Sequence, residues 1–146
     1  IGDVTLHERS SVFYGTVLRA DVASITLGER SNLQDNVTVH CDSGVPTTIG
    51  SGVSVGHAAT LHGCTIEDDC LIGMGATVLN HAVIGTGSLV AAGTVVLEGT
   101  IVPPGSLVAG VPGKVRRELT DEERAGIRAN GERYVQYTVA HREATG

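Results

Sequence analysis

The sequence predicts an all-β fold, a parallel β-helix of triangular coils, followed by one α-helix. Three observations carry that expectation. From Ile66 an aliphatic residue recurs at every sixth position: Ile66, Ile72, Val78, Ile84, Val90, Val96, Val102 and Val108. Four positions after each stands a small or compact residue: Cys70, Ala76, Ala82, Ser88, Thr94, Thr100, Ser106 and Pro112. The 146 residues include twenty glycines, one Phe and no Trp, so aromatic rings do not supply the core. Neither a helix nor an alternating strand demands a period of six. A coil with three flat sides of six residues does, with the aliphatic residue pointing inward and the small one near the corner. Glycines such as Gly73 and Gly85 permit the bends.

The same register runs upstream in threes: Leu6, Val12 and Leu18, then Leu27, Leu33 and Val39, then Ile49, Val55 and Leu61. Three sides make one coil. Three extra residues near Ala20–Ser24 and four near Cys41–Thr48 separate these coils, and one residue is missing between Leu61 and Ile66. Corner insertions are where repeat folds carry functional loops. The repeat ends after Val108, which assigns residues 1–113 to the β-helix and 114–146 to a linker and helix. Thr120 with Glu123 forms a capping-box signature, so the helix is expected from about Asp121 to about Arg142. Gly126 and Gly131 weaken it, and packing along a β-helix, its own or a neighbour's, is its expected role.

Composition narrows the function. A net charge of −6 without a Lys/Arg-rich run argues against nucleic acid or an anionic membrane surface. No apolar run approaches the ~20 residues of a membrane span. Three cysteines in no paired spacing read as reduced thiols in a cytoplasmic setting. Cys70 falls in a small-residue core slot, and Cys41 and Cys64 are expected to pack rather than bind metal. The chain opens on Ile1, mid-pattern and without Met, so an N-terminal piece is expected to precede it.

Register also places the histidines. His40 and His62 each follow an inward residue by one, Val39 and Leu61, and those lie one coil apart. The two imidazoles therefore share an outward column at the ~4.8 Å strand spacing, close enough to share a metal with Zn–N bonds of about 2.0–2.1 Å. His57 is second after Val55, one side earlier on the coil of His62. Roughly 16 Å of extended chain separates the two, so a shared ion requires His57 from another subunit. A cyclic homotrimer with three equivalent interfacial sites satisfies that geometry. Arg19 lies in the His40 column one coil below, Asp35 lies one coil below His57, and Gln34 stands beside it. Arg19 and Asp21 project to the same side as an Arg–carboxylate pair near the joint. His81, more than a coil above His62, reads as a surface residue.

Leu18-Arg19-Ala20-Asp21, Asn32-Leu33-Gln34-Asp35-Asn36 through His40, and Gly56-His57-Ala58-Ala59-Thr60-Leu61-His62-Gly63-Cys64 resemble the γ-class carbonic anhydrases over nearly the whole chain. Composition, as above, speaks against nucleic acid or membrane partners, and the resemblance implies a left-handed coil and a homotrimer with metal sites between subunits. Its metal, Zn2+ with Fe2+ or Co2+ as alternatives, is held by His40 and His62 of one chain and His57 of the next. The implied activity is reversible hydration of CO2 to bicarbonate. The same resemblance implies that Gln34 and Asp35 lie near the metal water and that Arg19 and Asp21 link subunits, and Tyr134 resembles an aromatic that some relatives place over the site. This chain departs from the archaeal acidic-loop pattern: Val22 follows Asp21, and the Cys41–Pro46 loop lacks Glu. Proton export then falls to Asp42, buffer or water, with slow turnover expected. Two alternatives differ in class. Val102–Lys114 resembles the last coil of CoA-dependent hexapeptide acyltransferases, and a weakly active metal-binding trimeric scaffold also fits.

Overall fold

The computed structural model describes residues 1–145. Its first 109 residues wind into a column of short parallel strands, stacked into three sheets that form the faces of a triangular prism. The first face stacks Gly2–Leu6, Ala20–Leu27, Thr47–Ile49, Thr65–Ile66, Val83–Ile84 and Ile101–Val102. The second runs from Ser11–Val12 up to Ser106–Ala109, and the third from Val17–Leu18 up to Val95–Val96. Each residue pairs with its equivalent one coil away: Leu33 with Val55, Val39 with Leu61, Ile66 with Ile84, Ile72 with Val90. The inward column from Ile66 to Val108 is no more than 1% exposed. Each such Ile or Val contributes about 1.5–3 kcal/mol by leaving water.

The six-residue register holds, with corrections at both ends. Leu6 and Val12, in the first described coil, are 52% and 38% exposed. Leu18, in the same coil, is half-buried against the core. At the other end Pro112 lies beyond the last coil and is exposed, and Thr100 is half-buried. The three extra residues near Ala20 form no loop. They bulge within the strand Ala20–Leu27, where Gly2 pairs with Ala20 but Val4 already pairs with Ile25. The second insertion is a true corner loop, closed by an antiparallel bridge between Asp42 and Val45. The segment after residue 113 is more than a linker, since Lys114–Glu118 turns back and pairs antiparallel with Ser106–Ala109. That strand covers the open backbone edge of the last coil.

The helix runs Asp121–Thr145, three residues beyond the expected end. Its start is a reciprocal cap: Glu123 N donates to Thr120 Oγ1 at 3.2 Å, and Thr120 N donates to Glu123 Oε2 at 2.8 Å. Arg117 grips both carboxylate oxygens of Glu123 at 2.7 and 2.8 Å. The helix folds down the second face of its own prism, burying Ile127 and Gly131. Gly131 faces Gly52 across the seam, where a Cβ would make ordinary contact, 3.4 Å from the Gly52 carbonyl oxygen. Arg30 and Glu132 pair across the seam. Further along, Phe13, Tyr14, Tyr134, Tyr137 and His141 interlock edge to face, with Tyr14 Oη hydrogen-bonded to His141 Nδ1 at 2.8 Å.

Two outcomes test this account. Ile72→Ala is expected to lower unfolding free energy by about 2–5 kcal/mol, whereas Ile101→Ala changes it by under ~0.5 kcal/mol. Chemical denaturation measures both, and equal effects would contradict the inward register. Hydrogen bonds from Arg117 and the Thr120 backbone hold the Glu123 carboxyl down at about 2. A depressed carboxylate stabilises above its ordinary value of 4.5, and that support is lost as pH falls through about 2. A carboxyl-carbon NMR titration is therefore expected to place the Glu123 midpoint near 2, returning toward the ordinary range in Arg117→Ala.

Candidate functional site

The parallel register delivers His40 and His62 to one another. They are paired positions on adjacent coils, their ring centroids are 4.9 Å apart, and His40 Nδ1 faces His62 Nε2 at 3.0 Å. The outer nitrogen of each ring is engaged. His40 Nε2 lies 3.0 Å from Asp21 Oδ1, and His62 Nδ1 lies 2.6 Å from Asn80 Oδ1. Arg19 pairs with Asp21, and its other terminal nitrogen reaches His40 Nδ1 at 3.4 Å. A guanidinium only donates, so His40 Nδ1 presents a lone pair and His40 Nε2 carries the proton directed at Asp21. Those contacts from His40 and Arg19 draw the Asp21 carboxyl below its ordinary value.

His57 stands apart from this pair. Its Nδ1 lies 3.1 Å from Asp35 Oδ2, one coil below, and its side chain is 45% exposed. Among the described residues no three His, Cys, Asp or Glu side chains converge to hold a metal within the single chain. Gln34 is buried and its Nε2 donates to Asn32 Oδ1 at 3.2 Å. Asn32 in turn donates to Ser54 Oγ at 2.9 Å, so a buried polar chain holds the Gln34 amide in place. Gln34, His57 and Tyr134 line a cavity of about 350 Å³ whose walls include Leu71, Met74, Leu89 and Val90. The helix brings Tyr134 there by packing along the second face. Burial, then the nearby Asp35 charge, raises the Tyr134 phenol.

The structure thus assembles two clusters on one chain. One holds Arg19, Asp21, His40 and His62, and the other holds Gln34, Asp35, His57 and Tyr134. Asn80 is a site residue that register reasoning passes over. It is second after Val78, off the histidine column, and only the fold shows that it reaches His62 and donates to Asp42 Oδ2 at 2.6 Å. Asp42, the expected proton exit, is therefore engaged by an amide. His81 is exposed at a corner with φ 61°, as a surface residue. Cys41 and Cys64 adjoin the histidines in sequence but turn inward, fully buried with Cys70. Burial pushes the Cys64 and Cys70 thiols up to about 12.

Coils of this register define the class of hexapeptide-repeat proteins, and residues 46–80 and 63–98 match the family described as bacterial transferase hexapeptide (six repeats). The chain is 53% identical over 136 residues to a Methanocaldococcus jannaschii protein named "Probable carbonic anhydrase", covering 93% of this chain and 86% of that one. It is 45% identical over 147 residues to "Gamma carbonic anhydrase 2, mitochondrial" of Arabidopsis thaliana, covering 97% of this chain but only 53% of the plant protein. A solved structure of a hexapeptide transferase family protein from Anaplasma phagocytophilum superposes with a TM-score of 0.92 at 41% identity, over 95% of this chain and 82% of that one. The chain belongs to the γ-carbonic anhydrase family, and its fold is the left-handed parallel β-helix of hexapeptide repeats.

The buried thiols yield a direct test of the packing beside the site. At pH 8 the native chain is expected to resist a thiolate-specific reagent, with all three cysteines reacting after unfolding in guanidinium. Rapid labelling of the native protein would overturn the inward placement.

Proposed function

We propose that this chain forms a homotrimer with metal sites between its subunits and catalyses the reversible hydration of CO2 to bicarbonate. The observation that carries the reading is the facing pair His40 Nδ1 and His62 Nε2 at 3.0 Å. Two ligand nitrogens on one tetrahedral ion, each about 2.0–2.1 Å from it, stand roughly 3.3 Å apart, so small ring movements suffice to bind it. The donor set fits a metal in a second respect. Asp21 and Asn80 engage the outer nitrogens, the arrangement that holds a ligating histidine in orientation. His57 has the same support from Asp35 and reaches outward, suited to complete a neighbour's pair. Imidazole ligands suit Zn2+, with Fe2+ and Co2+ as the alternatives.

A divalent cation held there would supply hydroxide at neutral pH by acidifying water. The chain's own residues do the rest. Gln34, fixed through Asn32 and Ser54, orients the substrate by hydrogen bonding from a buried position. Asp35 holds the His57 ring so that its other nitrogen faces outward. Leu71, Met74, Leu89 and Tyr134 give apolar CO2 a dry approach beside Gln34 and His57. Arg19 joins the site through Asp21 and His40, and in the assembly its charge bears on the subunit joint. The proton leaves through Asp42 or directly to buffer. Reduced, buried cysteines accord with a reducing compartment such as the cytoplasm. The acyltransferase alternative has fold support from the Anaplasma structure and would require acetyl-CoA binding.

The test is metal content per chain on a size-defined oligomer, followed by a CO2-hydration assay. The wild type is expected to be a trimer with near one metal per chain, and His57→Ala to lose both the metal and the activity. A metal-free wild type, or a monomer that binds metal without His57, would overturn the shared site. Saturable acetyl-CoA binding by such a protein would favour the acyltransferase instead.

A further inference from the structure

We propose that Asn80 is a positioning residue that sets the tautomer of His62, and that Asp42 acts through it. This rests on reading His62 as a ligand and assigns the device that keeps its ligating nitrogen bare. Asn80 Nδ2 lies 2.6 Å from Asp42 Oδ2, and Asn80 Oδ1 lies 2.6 Å from His62 Nδ1. A carboxylate only accepts, so the amide nitrogen must face Asp42 and the amide oxygen must face His62. That oxygen accepts from an Nδ1–H, which leaves the lone pair of the neutral ring on Nε2, facing His40 Nδ1 at 3.0 Å. Asp21 does the same for His40 from the other side, by accepting from Nε2–H at 3.0 Å. Two acids, Asp21 and Asp42, thus turn two imidazole lone pairs toward one point. On the His40 side the Arg19 guanidinium, 3.4 Å from Nδ1, is a cation already beside that point.

Backbone features hold the Asn80 contact in place. Gly63 has φ 56°, and a Cβ there would fall 2.3 Å from Asn80 Oδ1, so a glycine is needed for the amide to reach His62. The next residue, His81, is pinned by donation of its N–H to the Gly63 carbonyl at 2.8 Å. Asp42 is carried by the corner loop that the Asp42–Val45 bridge closes. The short side between Leu61 and Ile66 and the four-residue insertion after His40 therefore converge on one hydrogen-bonded chain.

The measurement is ¹⁵N NMR of histidine-labelled, metal-free protein at about pH 9, more than two units above the ordinary imidazole value of about 6.5. Wild type is expected to show His62 as the Nδ1–H tautomer. Asn80→Leu, close in shape but without an acceptor, is expected to move it toward Nε2–H. Asp42→Asn frees the Asn80 amide to flip, and is expected to give a mixture. Zinc competition against a chelating dye is expected to show about 10–100-fold weaker binding in Asn80→Leu. A His62 that stays Nδ1–H in Asn80→Leu, with zinc affinity within about twofold of wild type, would overturn the proposal. An unchanged His62 in Asp42→Asn would remove Asp42 from it. Should Asn80→Leu fail to fold, Asp42→Asn decides through the same tautomer readout. If wild type binds no zinc, the ligand reading fails, while the tautomer of the metal-free protein still reports whether Asn80 controls His62.

Discussion

Everything in this molecule depends on the parallel pairing of each coil with the one below it. Strands two to eight residues long bury one inward side chain per side and find their hydrogen-bond partners only in the next coil. A slip of one residue would turn the whole inward column outward. The aliphatic residue therefore recurs strictly, and additions are accommodated only where pairing can absorb them. One is the bulge between Ala20 and Ile25, and the other is the closed loop after His40. The core needs no aromatic ring because each layer is thin and Ile, Leu or Val fills it.

The same pairing makes chemistry out of repetition. Residues one coil apart in an outward column are neighbours, at the ~4.8 Å spacing of paired strands. His40 meets His62 for that reason, and Asp35 meets His57. Rigid strands leave the rings few alternatives, and the polar groups around them are satisfied. Asp21 with Arg19, Asn80 with Asp42, and Asn32 with Ser54 and Gln34 form three small networks that hold orientation. Two ring nitrogens face each other at 3.0 Å, with the Arg19 guanidinium 3.4 Å from the His40 one.

The aromatic residues excluded from the prism gather outside it. Phe13, Tyr14, Tyr134 and Tyr137 all lie in the seam between the helix and the early coils, joined by His141. A helix with little amphipathic pattern of its own is thereby held by buried Ile127 and by this cluster. Tyr134 reaches the cavity beside His57 because the seam fixes the helix rotation.

The sequence by itself determined the prism, its inward column, the helix cap at Thr120 and Glu123, and the shared column of Arg19, His40 and His62. Each of these follows from a fixed period or a local spacing, and local rules survive without coordinates. The ends escaped those rules. Leu6 and Val12 carry the right pattern yet are exposed, since burial depends on neighbours rather than on periodicity. The bulge was likewise invisible, since partners one coil away decide it, and the local antiparallel return of Lys114–Glu118 carries no six-residue repeat to announce it. Asn80 shows the limit most clearly. Its side chain reaches His62 across a corner because Gly63 leaves the space and Asp42 turns the amide, and only the tertiary structure brings those three positions together.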